Sequence, residues 1–171
     1  MRWFWIDRFE AFNRGETAVA IKLVTLAEEH LHDHFPGVAL MPNSLVLEGM
    51  AQTAGLLAAD ALEFGTQVVL LKVVAADFEF DARPGDCLRY RAVLDHLGES
   101  GSIARVTSTV GDRKQGEAEL SFAHVPVGEK LPWLFREEEM LTWLDNMGVF
   151  HVARDEAGLR ITRRSGPGSP R

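Results

Sequence analysis

Leu45, Leu47, Met50, Ala51, Ala54, Leu57, Ala58 and Leu62 put apolar side chains on almost every side of a helix. Such a helix is not a surface element, because most of its circumference has to leave water. Asn43 and Ser44 are both good N-caps, and Gly65 suits the end, so the pattern predicts a helix running to about Phe64. Gly49 and Gly55 each lower its intrinsic propensity by about 1 kcal/mol relative to alanine. Small residues kept at that cost predict close packing of the helix against a sheet.

The rest of the chain supplies the sheet. Trp3, Trp5 and Asp7 alternate with Phe4, Ile6 and Arg8, which predicts a strand through about Phe12. Asn13-Arg14-Gly15-Glu16 reads as a hairpin turn into a second strand, Thr17 to Val24. Thr25 is placed to cap a short helical turn over Leu26 to His30, with Glu28 and Glu29 in its first turn. Beyond the apolar helix, strands are expected over 67–80, 87–97, 103–110 and 115–125. The turn Arg83-Pro84-Gly85-Asp86, the loop 98–101 and the turn 111–114 separate them. Phe135 to Met147 is amphipathic, with Glu137, Glu138 and Glu139 in its first turn and Gly148 after it. Trp133, Leu134, Leu141, Trp143 and Leu144 are the residues suited to pack it on the body or on a neighbouring subunit. At 171 residues one domain is expected, over 1–126, with a helical extension over 127–150 and a tail over 151–171. Disorder is expected within that tail, over Ser165–Arg171.

Two ionisable residues flank the helix start. His34 precedes the turn Phe35-Pro36-Gly37, and Glu48 lies fourteen positions on, inside the apolar run. A base and an acid with little charge between them suit proton transfer. The neighbours Val46, Leu47, Gly49, Met50 and Ala51 predict poor solvent access at Glu48. Burial would raise its pKa and keep it protonated near neutral pH. Gln52 is one helical turn away on the same face and is read as its support. His30, His32 and His34 alternate, so on a strand they would share a face and invite a metal. No matching downstream ligand set follows, and no metal or other cofactor is expected.

The segment His34-Phe35-Pro36-Gly37, then Met41-Pro42-Asn43, then Glu48-Gly49-Met50-Ala51-Gln52 resembles the active-site region of the FabZ-type 3-hydroxyacyl-acyl carrier protein dehydratases. The resemblance covers about residues 3–125. It is strongest over 34–52 and moderate near 78–86 and 117–122. It implies the hotdog fold, an α+β architecture in which an antiparallel sheet wraps a long central helix. The order strand, strand, long helix, four strands agrees. It further implies dehydration of a 3-hydroxyacyl thioester, with His34 as base and Glu48 as acid. Backbone donors for the thioester oxygen are sought at Gly37, Asn43 and Ser44. Pro36, Asp33 and Gln52 are read as supports. The implied assembly is a homodimer that shares the two catalytic residues between subunits, or a hexamer built from such dimers.

Three positions depart from the family pattern. Asn43 stands where the family has glycine, and asparagine tolerates left-handed φ while keeping its N–H. Asp33 replaces the glycine before the histidine. Phe80-Asp81-Ala82 precedes Arg83 where the family is more basic, which favours a coenzyme A thioester or a specialised carrier beside acyl carrier protein.

The net charge of −7 offers no basic field for nucleic acid. Cys87 is alone, so no disulfide framework or cysteine zinc motif is expected, and it reads as a small core residue. No signal peptide and no apolar run long enough to span a membrane are read, so a cytoplasmic protein is expected. Two other readings stay open. One is a hotdog thioesterase, using the helix acid to activate water. The other is a non-catalytic acyl-binding protein, with Trp133 and Trp143 marking a partner surface.

Overall fold

The computed structural model describes residues 4–126 and 137–162. Its strands are β1 (Arg8–Asn13), β2 (Thr17–Leu23), β3 (Thr66–Phe78), β4 (Cys87–Leu97), β5 (Gly101–Val110), β6 (Arg113–Pro126) and β7 (Ala153–Arg154). Its helices are α1 (His30–Asp33), α2 (Asn43–Ala61), α3 (Glu137–Asn146) and α4 (Val149–Val152). The sheet runs β3-β6-β5-β4-β2-β1-β7, and every pairing is antiparallel except that of β7 with β1.

Helix α2 lies against strands β2 to β6, the hotdog arrangement. Val46, Met50, Ala54, Leu57 and Ala58 on it are fully buried. Full burial of a residue such as Leu57 is worth about 1.5–3 kcal/mol, so a few of them outweigh the two glycines. Gly49 explains its own presence: a Cβ there would lie 2.6 Å from Tyr90 Cε2 and 2.7 Å from the Trp5 carbonyl oxygen. Gly55 does not, since a Cβ there would meet Phe122 at an ordinary 3.5 Å.

Four boundaries differ from expectation. The first strand starts at Arg8, because Phe4 to Ile6 turn away to α2, where the Trp5 N–H donates to Gln52 Oε1. The helical turn after β2 sits at His30–Asp33. Leu26 to Glu29 form turns in which Thr25 Oγ1 accepts the Ala27 N–H and Glu28 Oε1 accepts the Thr25 N–H. Neither Asn43 nor Ser44 caps α2; Pro42 occupies the cap position and no side chain caps it. The helix ends at Ala61 rather than Phe64. Glu63 (φ 54°) and Phe64 (φ 58°) make the left-handed reversal expected of Gly65, and the Phe64 N–H closes it on the Ala59 carbonyl at 2.9 Å. Packing of Phe64 on the core offsets a conformation that costs a non-glycine residue about 1–2 kcal/mol.

The C-terminal segment is part of the body. Leu141, Leu144, Met147, Val149, Phe150 and Ala153 share one core with Phe9 and Phe12. The Met147 carbonyl accepts the Phe9 N–H at 2.8 Å. Strand β7 covers the β1 edge, and the Ile161 N–H returns to the Ala153 carbonyl at 3.1 Å. The segment expected to be a tail from residue 151 thus begins with the end of α4 and then a two-residue strand seated on the sheet. Trp133, Leu134, Phe135 and Ser165–Arg171 lie outside the described residues. At the other end of α2, Arg14 in the β1–β2 turn makes a two-pronged ion pair with Asp60, at 2.7 and 2.9 Å.

Candidate active site

His34 leaves α1 directly into the Phe35-Pro36-Gly37-Val38 turn. The Val38 N–H donates to the Phe35 carbonyl at 2.8 Å, and the Phe35 N–H to the Val38 carbonyl at 3.1 Å. Proline second and a glycine at φ +82° third is the type II pattern, which needs positive φ at that position. These bonds use the N–H groups of Phe35 and Val38, not that of Gly37. The His34 ring is exposed and stacks on the Phe35 ring at 4.3 Å. The segment is pinned on both sides, by buried Leu31 before it and by the Met41 N–H on the Ala82 carbonyl (2.8 Å) after it.

At the start of α2, the N–H groups of Leu45 and Val46 both donate to the Pro42 carbonyl. Those of Asn43 and Ser44 precede the first such bond, and they sit at the positive end of a 19-residue helix. The Asn43 side chain is not turned onto them. Its Oδ1 accepts from Gln115 Nε2 at 3.3 Å, and the same Nε2 donates to the Phe80 carbonyl at 2.8 Å. Asn43 has no positive φ, so the left-handed geometry its replacement of glycine suggested is absent.

Glu48 is exposed, against the expectation of burial. The reason is helical phase: Val46, Gly49, Met50, Thr53, Ala54 and Leu57 face the sheet, while Ser44 and Glu48 share the strip turned away from it. Its partner is the expected one. Gln52 Nε2 donates to Glu48 Oε1 at 2.9 Å. The Trp5 N–H donates to Gln52 Oε1 at 2.8 Å, which holds the amide with its donor toward the acid. That leaves Glu48 Oε2 clear of the Gln52 bond.

At the start of α1, before His34, lies a polar cluster. Lys22, 6% exposed, places Nζ 2.8 Å from Glu28 Oε1 and 3.7 Å from Asp7 Oδ1. His30 Nε2 lies 3.6 Å from Glu28 Oε2, and its ring meets the Trp5 ring edge-on at 5.0 Å. Burial, with help from Lys22 and His34, holds His30 below the usual histidine range; Glu28 opposes this. Burial, aided by Asp7 and Glu28, drives the Tyr90 phenol far above its usual range. Asp33 ends α1 exposed.

The three histidines do not share a strand face. They lie on and just past a helical turn, which sets His30 and His34 one turn apart with exposed His32 between. Among the described residues no three His, Cys, Asp or Glu side chains converge as a metal site. Nor, among the described residues, does any hydrogen bond or ion pair join His34 to Glu48 within the chain. Trp5, Gln115, Lys22 and Tyr90 had no signal of their own. A backbone donor and a buried strand glutamine are visible only once distant segments meet.

Comparison with known proteins bears on the family and the fold. The model of the FabA-like domain matches residues 4–115. The 3-hydroxyacyl-[acyl-carrier-protein] dehydratase FabZ of Ligilactobacillus salivarius is 36% identical over 118 residues, spanning 68% of this chain and 84% of that protein. The enzyme of the same name from Granulibacter bethesdensis is 37% identical over 121 residues, 69% of this chain and 70% of that one. Among solved structures, a Streptococcus mutans protein bound to acetyl CoA superposes with a TM-score of 0.60 at 16% identity, covering 74% of this chain and 94% of that chain. A mutant thioesterase from Pseudomonas aeruginosa gives 0.58 at 20%, covering 70% and 81%. At that identity the structural likenesses establish the fold alone. With its motif, its fold and these relatives, the chain belongs to the FabA-like family, among the FabZ-type hotdog dehydratases.

Proposed function

We propose that this protein dehydrates 3-hydroxyacyl thioesters to trans-2-enoyl thioesters, in fatty acid or related acyl-chain synthesis in the cytoplasm. The observation that supports the reading is a turn-held His34 and, on α2, a Glu48 with one oxygen occupied by Gln52. His34 takes the C2 proton, which the thioester carbonyl acidifies. The electron pair forms the C2–C3 double bond, the C3–O bond breaks, and a proton held on Glu48 Oε2 leaves with the hydroxyl as water. The proton on His34 then returns to Glu48 through solvent to close the cycle. Charge on the thioester oxygen is met by backbone N–H groups of Gly37 or of Asn43 and Ser44.

The site works across a homodimer, His34 of one subunit with Glu48 of its partner, and three such dimers can assemble into a hexamer. Support comes from the edge strand β3, which exposes Leu70, Leu71 and Val74, and from exposed Phe35 and Val38 beside His34. The carrier is acyl carrier protein or coenzyme A. Lys114 is engaged by Glu79 and Glu117, and the Arg113 guanidinium lies over the Phe80 ring, which leaves exposed Arg83 as the basic residue nearest the departure at 80–82.

The test is turnover of matched carrier-protein and coenzyme A 3-hydroxyacyl substrates, followed by 2-enoyl absorbance and by free thiol release. His34→Ala and Glu48→Gln should each lower enoyl formation by roughly 10²–10⁴-fold without loss of fold. Unchanged turnover in either variant, or thiol release in place of enoyl product, would overturn the reading.

A further inference from the structure

The C-terminal helix reaches the candidate acid through a short relay. The Trp143 ring on α3 meets the Phe4 ring edge-on at 4.9 Å. The next residue, Trp5, is 8% exposed and donates its backbone N–H to Gln52 Oε1 at 2.8 Å. Gln52 in turn donates to Glu48 Oε1 at 2.9 Å. Helix α3 has its own anchorage, with Leu141 and Leu144 buried at 3% and 0%. It is thus a fixed surface for Phe4 rather than a passenger on it. The segment Phe4–Ile6 has no strand ladder to hold it, since β1 begins at Arg8. Its position is set by side-chain contacts on both sides.

We propose that Trp143 is a positioning residue for Glu48. It clamps Phe4, so that the Trp5 N–H stays on Gln52 and Gln52 stays on the acid. This rests on the dehydratase reading for its catalytic consequence, but not for the clamp itself. A helix outside the matched residues 4–115 then contributes to the chemistry of the domain it is appended to. The physical requirement is modest. An orienting hydrogen bond is effective only while its donor is held in place, and a displacement of about 1 Å at a catalytic group can cost up to 10²-fold in rate.

The test uses the full chain with Trp143→Ala, Trp143→Phe and, from the other side of the contact, Phe4→Ala. Phe4 is 39% exposed, so its truncation leaves a folded protein if truncation of Trp143 does not. Two readouts are needed. Amide hydrogen exchange at Trp5, which does not depend on activity, should accelerate at least about tenfold in Trp143→Ala and return toward wild type in Trp143→Phe. Enoyl formation should show kcat down about tenfold with KM within about twofold, because orientation of the acid and not substrate binding is lost. In a Gln52→Ala background the same Trp143→Ala change should cost less than about twofold, since its route is already cut. Unaltered Trp5 exchange overturns the clamp. Equal kcat losses with and without Gln52 overturn the relay and reduce Trp143 to general packing. A wild-type protein with no dehydratase turnover but accelerated Trp5 exchange in the variants sinks the dehydratase reading and leaves the clamp standing.

Discussion

Gly49→Ala and Gly55→Ala lie on one helix and should move stability in opposite directions. At Gly49 a new Cβ would sit 2.6 Å from Tyr90 Cε2, 2.8 Å from Tyr90 Cζ and 2.7 Å from the Trp5 carbonyl oxygen. Carbon contacts settle near 3.5–4.0 Å, so the neighbours have to retreat by at least roughly 0.7–0.9 Å. Neither can do so freely. Tyr90 is 0% exposed, and the Trp5 contact is to backbone, which cannot rotate aside. Overpacking costs about 1–3 kcal/mol, and two clashes on rigid partners place this one at the upper end. Alanine recovers about 1 kcal/mol of helix propensity, which leaves a net loss of about 2 kcal/mol. For a chain of this size that is about 4–8 °C in Tm. At Gly55 the Cβ meets Phe122 at an ordinary 3.5 Å, so the propensity gain stands alone, about 0.5–1 kcal/mol in favour of the variant. Urea and thermal unfolding of the three proteins measure both signs. In Gly49→Ala, kcat should fall by roughly tenfold or more, because the displaced Trp5 carries the donor that orients Gln52. A Gly49→Ala protein as stable as wild type, or a Gly55→Ala protein destabilised as far, would refute the reasoning.

Three further outcomes follow from other parts of the molecule. Arg14→Met leaves the 3% exposed Asp60 carboxylate without its partner, and should cost about 3 kcal/mol in urea unfolding, with most of it recovered in Arg14→Met/Asp60→Leu. A single variant within about 0.5 kcal/mol of wild type would contradict this. His30 is held below its usual 6.5 in the folded state, so the unfolded chain binds its proton first as pH falls. This histidine therefore costs no stability well above that value and costs progressively more as pH drops below it. His30→Gln should abolish that slope, and a wild-type-to-variant difference that is the same at about pH 7.5 and about pH 5.5 would count against it. Leu71→Lys, at a side chain 69% exposed on the β3 edge, should dissociate the proposed dimer in sedimentation and remove activity with it. An unchanged sedimentation coefficient would exclude this edge as the interface.

The apolar helix and the strands on either side of it were legible because their signals are periodic and local. So was the Phe35–Val38 turn, since proline and glycine carry their dihedral preferences wherever they stand. The Gln52 bond to Glu48 follows from four-residue spacing on one helix. Asn43 runs against its sequence signal at two points: neither a cap nor a left-handed residue, it pairs with Gln115, 72 residues away. Glu48 runs against its surroundings in sequence too. Its sequence neighbours are apolar, but they face the sheet and it does not. The first strand starts later than aromatic alternation at Phe4–Ile6 suggests, because that pattern cannot reveal that a glutamine on α2 takes the Trp5 N–H.

By itself, then, the sequence determined the element order, the turn that carries His34, and the helix that pairs Glu48 with Gln52. Each depends on dihedral preference or on a repeat within a few residues. Tertiary structure alone decided which of two helix glycines is indispensable, that Trp5 orients the acid's partner, and that residues from Leu141 to Ala153 belong to the same core as Phe9 and Phe12. Those outcomes come from closing a seven-stranded sheet around one helix. Closure brings together groups whose separation along the chain carries no periodic trace.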